Sequence, residues 1–283
     1  MKILIYGGNG WIGNQFIAHL NTKKISYTLA NVRVNPNNEQ LVKNEIIESN
    51  CTHVISMLGR THGNGCSTID YLESKDKLKE NINDNLYSPL TLGIICNQLQ
   101  VHYSYLGTGC IYNGEDIDEE MDCNFFGSSY SVVKSYTDKL IRHFNVLNLR
   151  IRMPISSMPN SRNFITKIVN YKKICSITNS MTILDDFIPI ILDMMHNKYT
   201  GTFNCVNPVP LSHNEVLEMY KNVVNPDFKW ENFTLEEQDT ILKAGRSNNV
   251  LNTKKLEDLY YIPSMLESLP VILKKYKREL EKL

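Results

Sequence analysis

Short apolar runs and longer amphipathic stretches alternate along the first half of the chain. Three apolar runs have the length of a buried strand: KILIYG, SYTLANV and THVISML. Between them, two stretches carry apolar residues at helical spacing: WIGNQFIAHLNTK and QLVKNEIIESN. The pattern then predicts a helix over about 69–99, a strand ending at Leu106, a helix over about 128–144 and the strand VLNLRIR. This alternation predicts a parallel sheet covered by helices.

The regular alternation ends near residue 152, where prolines and polar residues interrupt it. We therefore expect a doubly wound α/β domain over residues 1–152 and, over 153–283, a smaller lobe that mainly binds the substrate. The chain of this second part is free to cross back to the sheet. The sequence contains no internal repeat and no low-complexity tract.

Charge, hydropathy and cysteine usage narrow the class of partner. Thirty basic and thirty acidic residues, with no block of one sign, give no charged surface for nucleic acid or an anionic membrane. The chain shows no signal-peptide core and no apolar stretch approaching the roughly 18 residues that span a bilayer. The seven cysteines form no Cys-x-x-Cys pair and no zinc-like cluster with histidine. We expect a cytoplasmic protein that acts on a small molecule, without a metal, nucleic acid or membrane partner.

A glycine-rich turn follows the first predicted strand and opens the first helix. In GGNGWIG, Gly7, Gly10 and Gly13 recur at intervals of three. Glycine permits a tight turn and a close approach of the backbone to a pyrophosphate, and the helix N-terminus supplies amide donors. Position and pattern together predict a dinucleotide site in a Rossmann-type fold. This spacing is found in short-chain dehydrogenases/reductases of the extended type.

The end of the second predicted strand bears on which dinucleotide binds. An acidic residue there accepts the ribose 2′-hydroxyl of NADH, whereas an arginine accommodates the 2′-phosphate of NADPH. The segment ANVRVNPNN offers Arg33 and no acid. This favours NADPH, while NADH binding and a plain exposed arginine stay open as alternatives.

A tyrosine and a lysine stand four residues apart in the helix predicted from about Ser128. This spacing puts Tyr130 and Lys134 on one helix face, where an ammonium can stabilise the phenolate form of a tyrosine. Thr108, at a strand end, completes the Thr/Tyr/Lys set of the same reductases. The resemblance implies that Thr108 orients a substrate carbonyl, Tyr130 protonates the alkoxide, and Lys134 holds the nicotinamide ribose and lowers the tyrosine pKa.

Longer segments narrow this resemblance to one family. They are LRIRMPISS with RNFITK, NSMTILDD, NFTLEEQ with RSNN, and the shorter GWIG, TGCIY and SHNEVLEMY. They closely resemble the bifunctional UDP-4-keto-6-deoxy-D-glucose 3,5-epimerase/4-reductases, which also form the C-terminal half of plant rhamnose synthases. The resemblance covers the chain to about residue 260. It implies NADPH-dependent conversion of a UDP-sugar, UDP-4-keto-6-deoxy-D-glucose, to UDP-L-rhamnose, and leaves a homodimer open.

Epimerisation at C3 and C5 requires two proton carriers beyond the hydride machinery. Cys110, two residues after Thr108, is the first candidate, because a nearby positive charge can bring a thiol to its thiolate form near neutral pH. Related fucose-forming enzymes pair such a cysteine with a histidine that this sequence lacks between His143 and His196. Lys167, in RNFITK, is the substitute, as proton donor and as a charge that favours the Cys110 thiolate. A small buried cysteine and a surface lysine are the plain alternatives.

The resemblance also implies softer binding assignments. Trp11, Ile12, Gly59 and Pro154 join the glycines, Arg33, Tyr130 and Lys134 as cofactor-binding positions. Asn85, Asn163 and Arg246 are the substrate-binding candidates, with Arg246 directed at the UDP pyrophosphate, whose oxygens suit a guanidinium fork.

Two other functions stay open from the sequence. One is a monofunctional 4-reductase for dTDP- or UDP-4-dehydrorhamnose, with epimerisation by a separate protein. The other is a non-catalytic NADPH-binding regulatory subunit. The Cys110 and Lys167 candidates argue against the first, and the intact Thr/Tyr/Lys set argues against the second.

Overall fold

A computed structural model describes residues 1–282, and its strands arise mainly from the apolar runs. The strands are β1 (Ile3–Tyr6), β2 (Tyr27–Leu29), β3 (His53–Ser56), β4 (His102–Thr108), β5 (Gly114–Ile117), β6 (Val146–Ile151), β7 (Pro154–Ile155), β8 (Thr178–Asn179), β9 (Thr182–Ile183), β10 (Gly201–Asn204), β11 (Leu211–Ser212) and β12 (Asn249–Leu251). Six of them form one parallel sheet in the order β10, β6, β4, β3, β1, β2. The predicted doubly wound, Rossmann-type parallel sheet is confirmed.

Helices cover both faces of this sheet. They are α1 (Trp11–Lys23), α2 (Glu39–Ser49), α3 (Leu78–Ile82), α4 (Ser88–Leu99), α5 (Ser129–Ile141), α6 (Phe164–Ile168), α7 (Leu184–His196), α8 (His213–Val223), α9 (Leu235–Ile241), α10 (Lys254–Glu257) and α11 (Met265–Leu280). Ile3 and Ile5 of β1 pack with α1 and α7 in one cluster, while Leu4 and Tyr6 pack with α2 and α4 in another. The period of two along a strand explains this alternation. None of the helices within residues 1–282 is both long and apolar enough to cross a membrane.

The residues after 153 contribute both to the main sheet and to a separate apolar cluster. β10 pairs with β6 at the edge of the main sheet, and α7 packs on the sheet through Phe187 and Ile191. A separate apolar cluster joins β7 and β9 to α6, α8 and α11. Through β10 and α7, the second part of the chain shares the apolar core of the first. The division into two parts at 152/153 therefore stays a prediction.

The prediction of one long helix over 69–99 is wrong for the first half of this range. The segment Ile69–Glu73 and the segment Lys75–Lys77 are 3₁₀ turns, separated by Ser74 in an extended conformation. Helix α3 follows, and a π turn over Asn83–Tyr87 joins it to α4. The sequence pattern marks the apolar face of this region but not these local changes in winding.

Proline explains the π turn. Pro89 has no N–H and cannot donate to the carbonyl of Asn85 four residues earlier. That carbonyl accepts a hydrogen bond of 2.6 Å from the Thr137 hydroxyl of α5 instead. The wider turn therefore ties α5, which carries Tyr130 and Lys134, to the segment that leads into α4.

A buried ion pair fixes α5 against the sheet. The Arg150 side chain on β6 is fully buried and donates to both carboxylate oxygens of Asp138, at 2.7 and 2.9 Å. Burial raises the pKa of the Asp138 carboxyl, but the hydrogen bonds from Arg150 and Asn148 outweigh burial and leave this pKa below its ordinary value. The carboxylate form is therefore the one that the fold stabilises.

We expect Asp138→Asn to lower the free energy of unfolding at pH 7 by about 3 kcal/mol, because the change leaves the Arg150 charge buried and unpaired. The exposed pair of Lys254 and Asp258 supplies the control, and Asp258→Asn is expected to change little. Denaturant unfolding measures both. Since the pKa of Asp138 is lowered in the folded state, its contribution is complete above the unfolded pKa of about 3.9 and is lost as the pH falls through the folded value. Equal stability of the two variants at pH 7 would contradict this account.

Candidate active site

The glycine turn between β1 and α1 has the geometry of a phosphate cradle. Gly7 has a φ of +81°, and a side chain on it would come within 2.8 Å of the Met57 backbone. A Cβ on Gly13 would lie 2.5 Å from the carbonyl oxygens of Gly7 and Gly8. Gly10 is the N-cap of α1 and has no side chain to cap the first amides. These features fit a dinucleotide pyrophosphate at the helix N-terminus.

A cavity of about 310 Å³ opens where the carboxyl ends of β1, β2 and β3 meet. The chain leaves β1 for β2 on one side and returns to β3 on the other, so the cavity lies at the topological switch point. Gly7, Arg33 and Gly59 line the cavity. The Arg33 side chain is 67% exposed and lies 3.4 Å from the Asp84 carboxylate, which also lines it.

An acidic residue does reach the end of β2, although the local sequence has none. Glu45 of α2 accepts hydrogen bonds from the amides of Asn31 and Val32, at 2.6 and 3.0 Å, and from the Tyr6 hydroxyl at 2.7 Å. Both carboxylate oxygens are therefore engaged by the protein. Asp84, from the π turn, is the other carboxylate near Arg33, and neither was found from the sequence.

Thr108, Tyr130 and Lys134 meet where β4 ends beside α5. Ser128 caps α5 by accepting from the Ser131 amide at 3.0 Å, which sets the first turn of the helix. Tyr130 is then 8% exposed and Lys134 4% exposed. Burial and the charge of Cys110 raise the pKa of Tyr130, and a hydrogen bond with Thr108 lowers it in part. A hydroxyl that stays protonated in this way is suited to act as a proton donor.

Lys134 is bonded to a tyrosine other than Tyr130, and its expected effect on the Tyr130 pKa stays a prediction. The Lys134 ammonium donates to the hydroxyl of Tyr105 on β4, and the pKa of Tyr130 stands above its ordinary value rather than below it. Burial lowers the pKa of Lys134 to about 8, while the charges of Asp138 and Cys110 act in the opposite direction. The buried Tyr105 oxygen provides this alternative partner, which the spacing of Tyr130 and Lys134 does not reveal.

Cys110 lies beside the same group of residues. Its amide donates to the Thr108 hydroxyl at 3.1 Å, and its carbonyl accepts from the Ser131 hydroxyl at 2.8 Å. The side chain is partly buried against a cluster formed by Tyr71, Leu72 and Tyr130. The turn after β4 thus places the threonine hydroxyl and the cysteine side chain next to each other and beside Tyr130.

Lys167 lies among other cations rather than against Cys110. Burial and the charges of Arg162 and Arg246 lower the pKa of Lys167. Burial and the charges of Arg162, Arg60 and Lys167 lower the pKa of His62 to about 4. We refer to these five residues, Arg60, His62, Arg162, Lys167 and Arg246, as the basic cluster. They come from three separate segments of the chain. Arg60 is paired with Glu80 and Asp84, at 3.1 and 3.0 Å, and the lowered pKa of His62 leaves this side chain neutral at pH 7.

Arg152 is a cation in direct contact with Cys110, and the expected effect of Lys167 on Cys110 stays a prediction. The Nη1 atom of Arg152 lies 3.4 Å from the Cys110 sulfur. Arg152 follows directly after β6, next to the end of β4, so it reaches the sulfur from the adjacent strand. Sequence analysis missed this residue, since nothing in LRIRMP indicates which residue its side chain meets.

The Asn85 and Asn163 side chains are bonded to protein groups, and a contact of either with a substrate stays a prediction. The Asn85 side chain is fully buried; it accepts from the Arg60 amide at 2.9 Å and donates to the Arg60 carbonyl at 2.9 Å. It therefore holds the loop after β3. Asn163 is also fully buried; it caps α6 through the Ile165 amide and donates to the carbonyls of Ser156 and Met158. Both amides are occupied by backbone partners, so each positions a loop.

Arg246 is engaged by Asp70 on the far side of the cleft. Its Nη2 atom lies 2.8 Å from the Asp70 carboxylate, and the guanidinium is 26% exposed. Burial raises the pKa of Asp70, but hydrogen bonds from Arg246 and Thr68 outweigh it and leave this pKa below its ordinary value. A contact of Arg246 with a pyrophosphate stays a prediction.

The remaining cofactor-binding candidates lie around the same sheet edge. Trp11 and Ile12, in the first turn of α1, are partly buried against the sheet cluster. Gly59 follows β3, where a Cβ would lie 3.3 Å from the Asn85 side chain. Pro154 opens β7 and pairs with Thr182. Their contacts with a cofactor stay predictions.

A family of nicotinamide-dependent proteins matches the part of the chain that contains the glycine turn. The model of the NAD dependent epimerase/dehydratase family matches residues 3–171, more than half of the chain. The chain belongs to this family. The matched part contains the glycine turn and the candidate residues Thr108, Cys110, Tyr130, Lys134 and Lys167.

Relatives within the epimerase/dehydratase family confirm the narrower resemblance. Protein L780 of Acanthamoeba polyphaga mimivirus is 49% identical, over 98% of this chain and 99% of that protein. Its crystal structure, described as a UDP-rhamnose synthase, superposes with a TM-score of 0.94 and covers 97% of this chain and 99% of that chain.

Two relatives from Arabidopsis thaliana are each 40% identical. The trifunctional UDP-glucose 4,6-dehydratase/UDP-4-keto-6-deoxy-D-glucose 3,5-epimerase/UDP-4-keto-L-rhamnose-reductase matches 97% of this chain but only 41% of its own length. The bifunctional dTDP-4-dehydrorhamnose 3,5-epimerase/dTDP-4-dehydrorhamnose reductase matches 90% of this chain and 86% of its own length. The chain thus groups with the epimerase/reductases of nucleotide-rhamnose synthesis.

The Arg33 assignment leads to a test of cofactor preference. If Arg33 binds the 2′-phosphate, Arg33→Ser weakens NADPH binding about tenfold, as expected for one lost hydrogen bond to a charged group, and leaves NADH binding unchanged. Fluorescence titration of each nucleotide measures this. Arg278→Ser, an exposed arginine of α11, is the matched control. Tighter binding of NADH than NADPH by the unmodified protein would contradict the assignment.

Proposed function

We propose that this chain converts UDP-4-keto-6-deoxy-D-glucose to UDP-L-rhamnose in one active site, by 3,5-epimerisation and NADPH-dependent reduction at C4. The observation that supports this most strongly is the position of Cys110, which joins the Thr108, Tyr130 and Lys134 set at the end of β4. A 4-reductase has no use for a second proton carrier there. The 49% identity to a UDP-rhamnose synthase supports the same function.

The cofactor would lie along the edge formed by β1, β2 and β3. Gly7, Gly10 and Gly13 would accommodate its pyrophosphate, Arg33 its 2′-phosphate, and Lys134 its nicotinamide ribose. NADPH, when bound, supplies the hydride for C4 of the sugar. Lys134 still carries its charge at neutral pH, because its lowered pKa of about 8 lies above 7.

Tyr130 and Thr108 serve the reduction. Thr108 donates to the C4 carbonyl oxygen, and the Tyr130 hydroxyl gives its proton to this oxygen as negative charge develops there. The raised pKa of Tyr130 keeps its proton in place until the alkoxide forms, since an alkoxide is much more basic than a phenolate.

Cys110 and Lys167 serve the two epimerisations. The hydrogens at C3 and C5 are acidic because each lies next to the C4 ketone, so their removal gives an enolate. The Cys110 thiolate takes the proton on one face and becomes a thiol, and the Lys167 ammonium gives a proton to the opposite face and becomes an amine. Exchange of both groups with water restores them before the second epimerisation. The lowered pKa of Lys167 makes its ammonium a better donor.

The basic cluster suits a nucleotide diphosphate. Burial is the main cause of the lowered pKa values of His62 and Lys167, and the charges of Arg162 and its cationic neighbours add to it, so cations lie near one another here. Arg60 and Arg246 are paired with carboxylates, whereas Arg162 forms no ion pair among residues 1–282. An anionic diphosphate would reduce this repulsion, and guanidinium groups match its oxygens. UDP is proposed over dTDP because the 49% identical relative is described as a UDP-rhamnose synthase.

One assay separates this proposal from its rivals. The protein is incubated in heavy water with NADPH and either UDP- or dTDP-4-keto-6-deoxyglucose, and the product is analysed by NMR. We expect UDP-L-rhamnose with deuterium at C3 and C5. A monofunctional reductase would form no rhamnose from this substrate and no deuterated positions. A regulatory subunit would bind NADPH without consuming it, and either result would overturn the proposal.

In the same assay, we expect Cys110→Ser to lower deuterium exchange at C3 and C5 by about 100-fold, the effect of losing a general base. The affinity for NADPH is expected to stay near that of the unmodified protein, because Cys110 lies outside the glycine turn. Cys123→Ser, another partly buried cysteine, is the matched control. An equal loss of NADPH binding and exchange would assign Cys110 a structural role instead.

A further inference from the structure

Arg152 is a buried arginine without a carboxylate partner among residues 1–282. It is 1% exposed. Its guanidinium donates to neutral oxygens: the Ser247 hydroxyl at 2.8 Å, the Ser247 carbonyl at 2.5 Å and the Asn179 side chain at 2.5 Å. Its Nε has no hydrogen-bond partner within residues 1–282. Arg150, two residues earlier, is equally buried but has the Asp138 carboxylate at 2.7 Å.

An unpaired buried charge is costly, so an anion near Arg152 would be strongly stabilised. The one neighbour able to become anionic is the Cys110 sulfur, 3.4 Å from Nη1. Burial lowers the pKa of Arg152, and a negative charge on Cys110 together with its hydrogen bond acts against this lowering. The two side chains are thus complementary when Cys110 is a thiolate.

Other titratable groups face Cys110 from two further elements. Tyr130 and Lys134 approach from α5, and the negative charge of Cys110 raises the pKa of each. Tyr71 and Cys66 pack around the same apolar cluster from the segment before α3. The Tyr71 hydroxyl donates to the Glu80 carboxylate at 2.7 Å, so this carboxylate lies on the far end of Tyr71 from the apolar cluster. Lys134 is a second buried cation on which a negative charge at Cys110 acts, so it is the alternative partner to test against Arg152.

We propose that Arg152 is the counter-cation that holds Cys110 as a thiolate, ready to take a proton from a carbon next to the substrate carbonyl. Arg152 acts through Cys110 and is a positioning residue. Arginine suits this place because a guanidinium keeps its charge when buried, whereas burial brings the pKa of Lys134 down to about 8. The role of Cys110 as base rests on the proposed function, but the thiolate pair does not.

The test is the rate of Cys110 alkylation by iodoacetamide as a function of pH in the free full-length protein. Only a thiolate reacts, and peptide-resolved mass spectrometry separates Cys110 from Cys66 and Cys123. In the unmodified protein, we expect a midpoint below the value of about 8.5 for an ordinary thiol. In Arg152→Met, we expect the midpoint to rise by one pH unit or more, which slows alkylation at pH 7 about tenfold. Arg152→Lys is expected to restore part of the rate.

Lys134→Met is the matched control, since it removes the other buried cation near Cys110. A midpoint that moves in Lys134→Met and not in Arg152→Met would overturn the proposal. An ordinary midpoint in the unmodified protein would overturn it even if Arg152→Met did not fold, as judged by circular dichroism. The two proposals can fail separately. If the Cys110 midpoint depends on Arg152 but the protein makes no UDP-L-rhamnose, the pair of Arg152 and the Cys110 thiolate is supported and the proposed function is rejected.

Discussion

The site depends on one constraint, the common direction of six parallel strands. Because β1, β3, β4 and β6 end at the same edge, residues far apart in sequence meet there without any long loop having to fold over. The glycine turn follows β1, Thr108 ends β4, and Arg152 follows β6. Helix α5 lies against this edge and adds Tyr130 and Lys134. The strand order therefore explains why the nucleotide cradle and the candidate proton carriers share one cleft.

Charge at this edge is divided between buried and partly exposed cations. Lys134 and Arg152 are buried, and Lys134 donates to the Tyr105 hydroxyl while Arg152 contacts the Cys110 sulfur. The basic cluster supplies further cations that are partly exposed. Burial is the main reason that the pKa of Tyr130 is raised, and a negative charge on Cys110 acts in the same direction. Under the proposed function, Tyr130 would keep the proton that the reduction needs even without Cys110.

The sequence predicted the sheet, the glycine turn and the Thr108, Tyr130 and Lys134 set because these depend on local patterns and fixed spacing. It did not predict contacts between distant segments. The spacing of Tyr130 and Lys134 cannot reveal that the Tyr105 hydroxyl accepts a hydrogen bond from Lys134, and LRIRMP cannot reveal that Arg152 contacts Cys110. Asn85 and Asn163 matched family positions, yet their amides are occupied by backbone groups. Pro89 was visible in the sequence, but the hydroxyl that bonds the freed Asn85 carbonyl belongs to Thr137 of another helix.

The central claim is that two sets of side chains carry out different steps: Thr108, Tyr130 and Lys134 serve the reduction, and Cys110 and Lys167 serve the epimerisations. The most direct measurement supplies Cys110→Ser with the already epimerised substrate, UDP-4-keto-L-rhamnose, and follows the oxidation of NADPH. The account predicts reduction within about fivefold of the unmodified protein, because Thr108, Tyr130 and Lys134 are intact, while the same variant makes no UDP-L-rhamnose from UDP-4-keto-6-deoxy-D-glucose. Failure to reduce the epimerised ketone would contradict the account, since Cys110 would then belong to the hydride step as well.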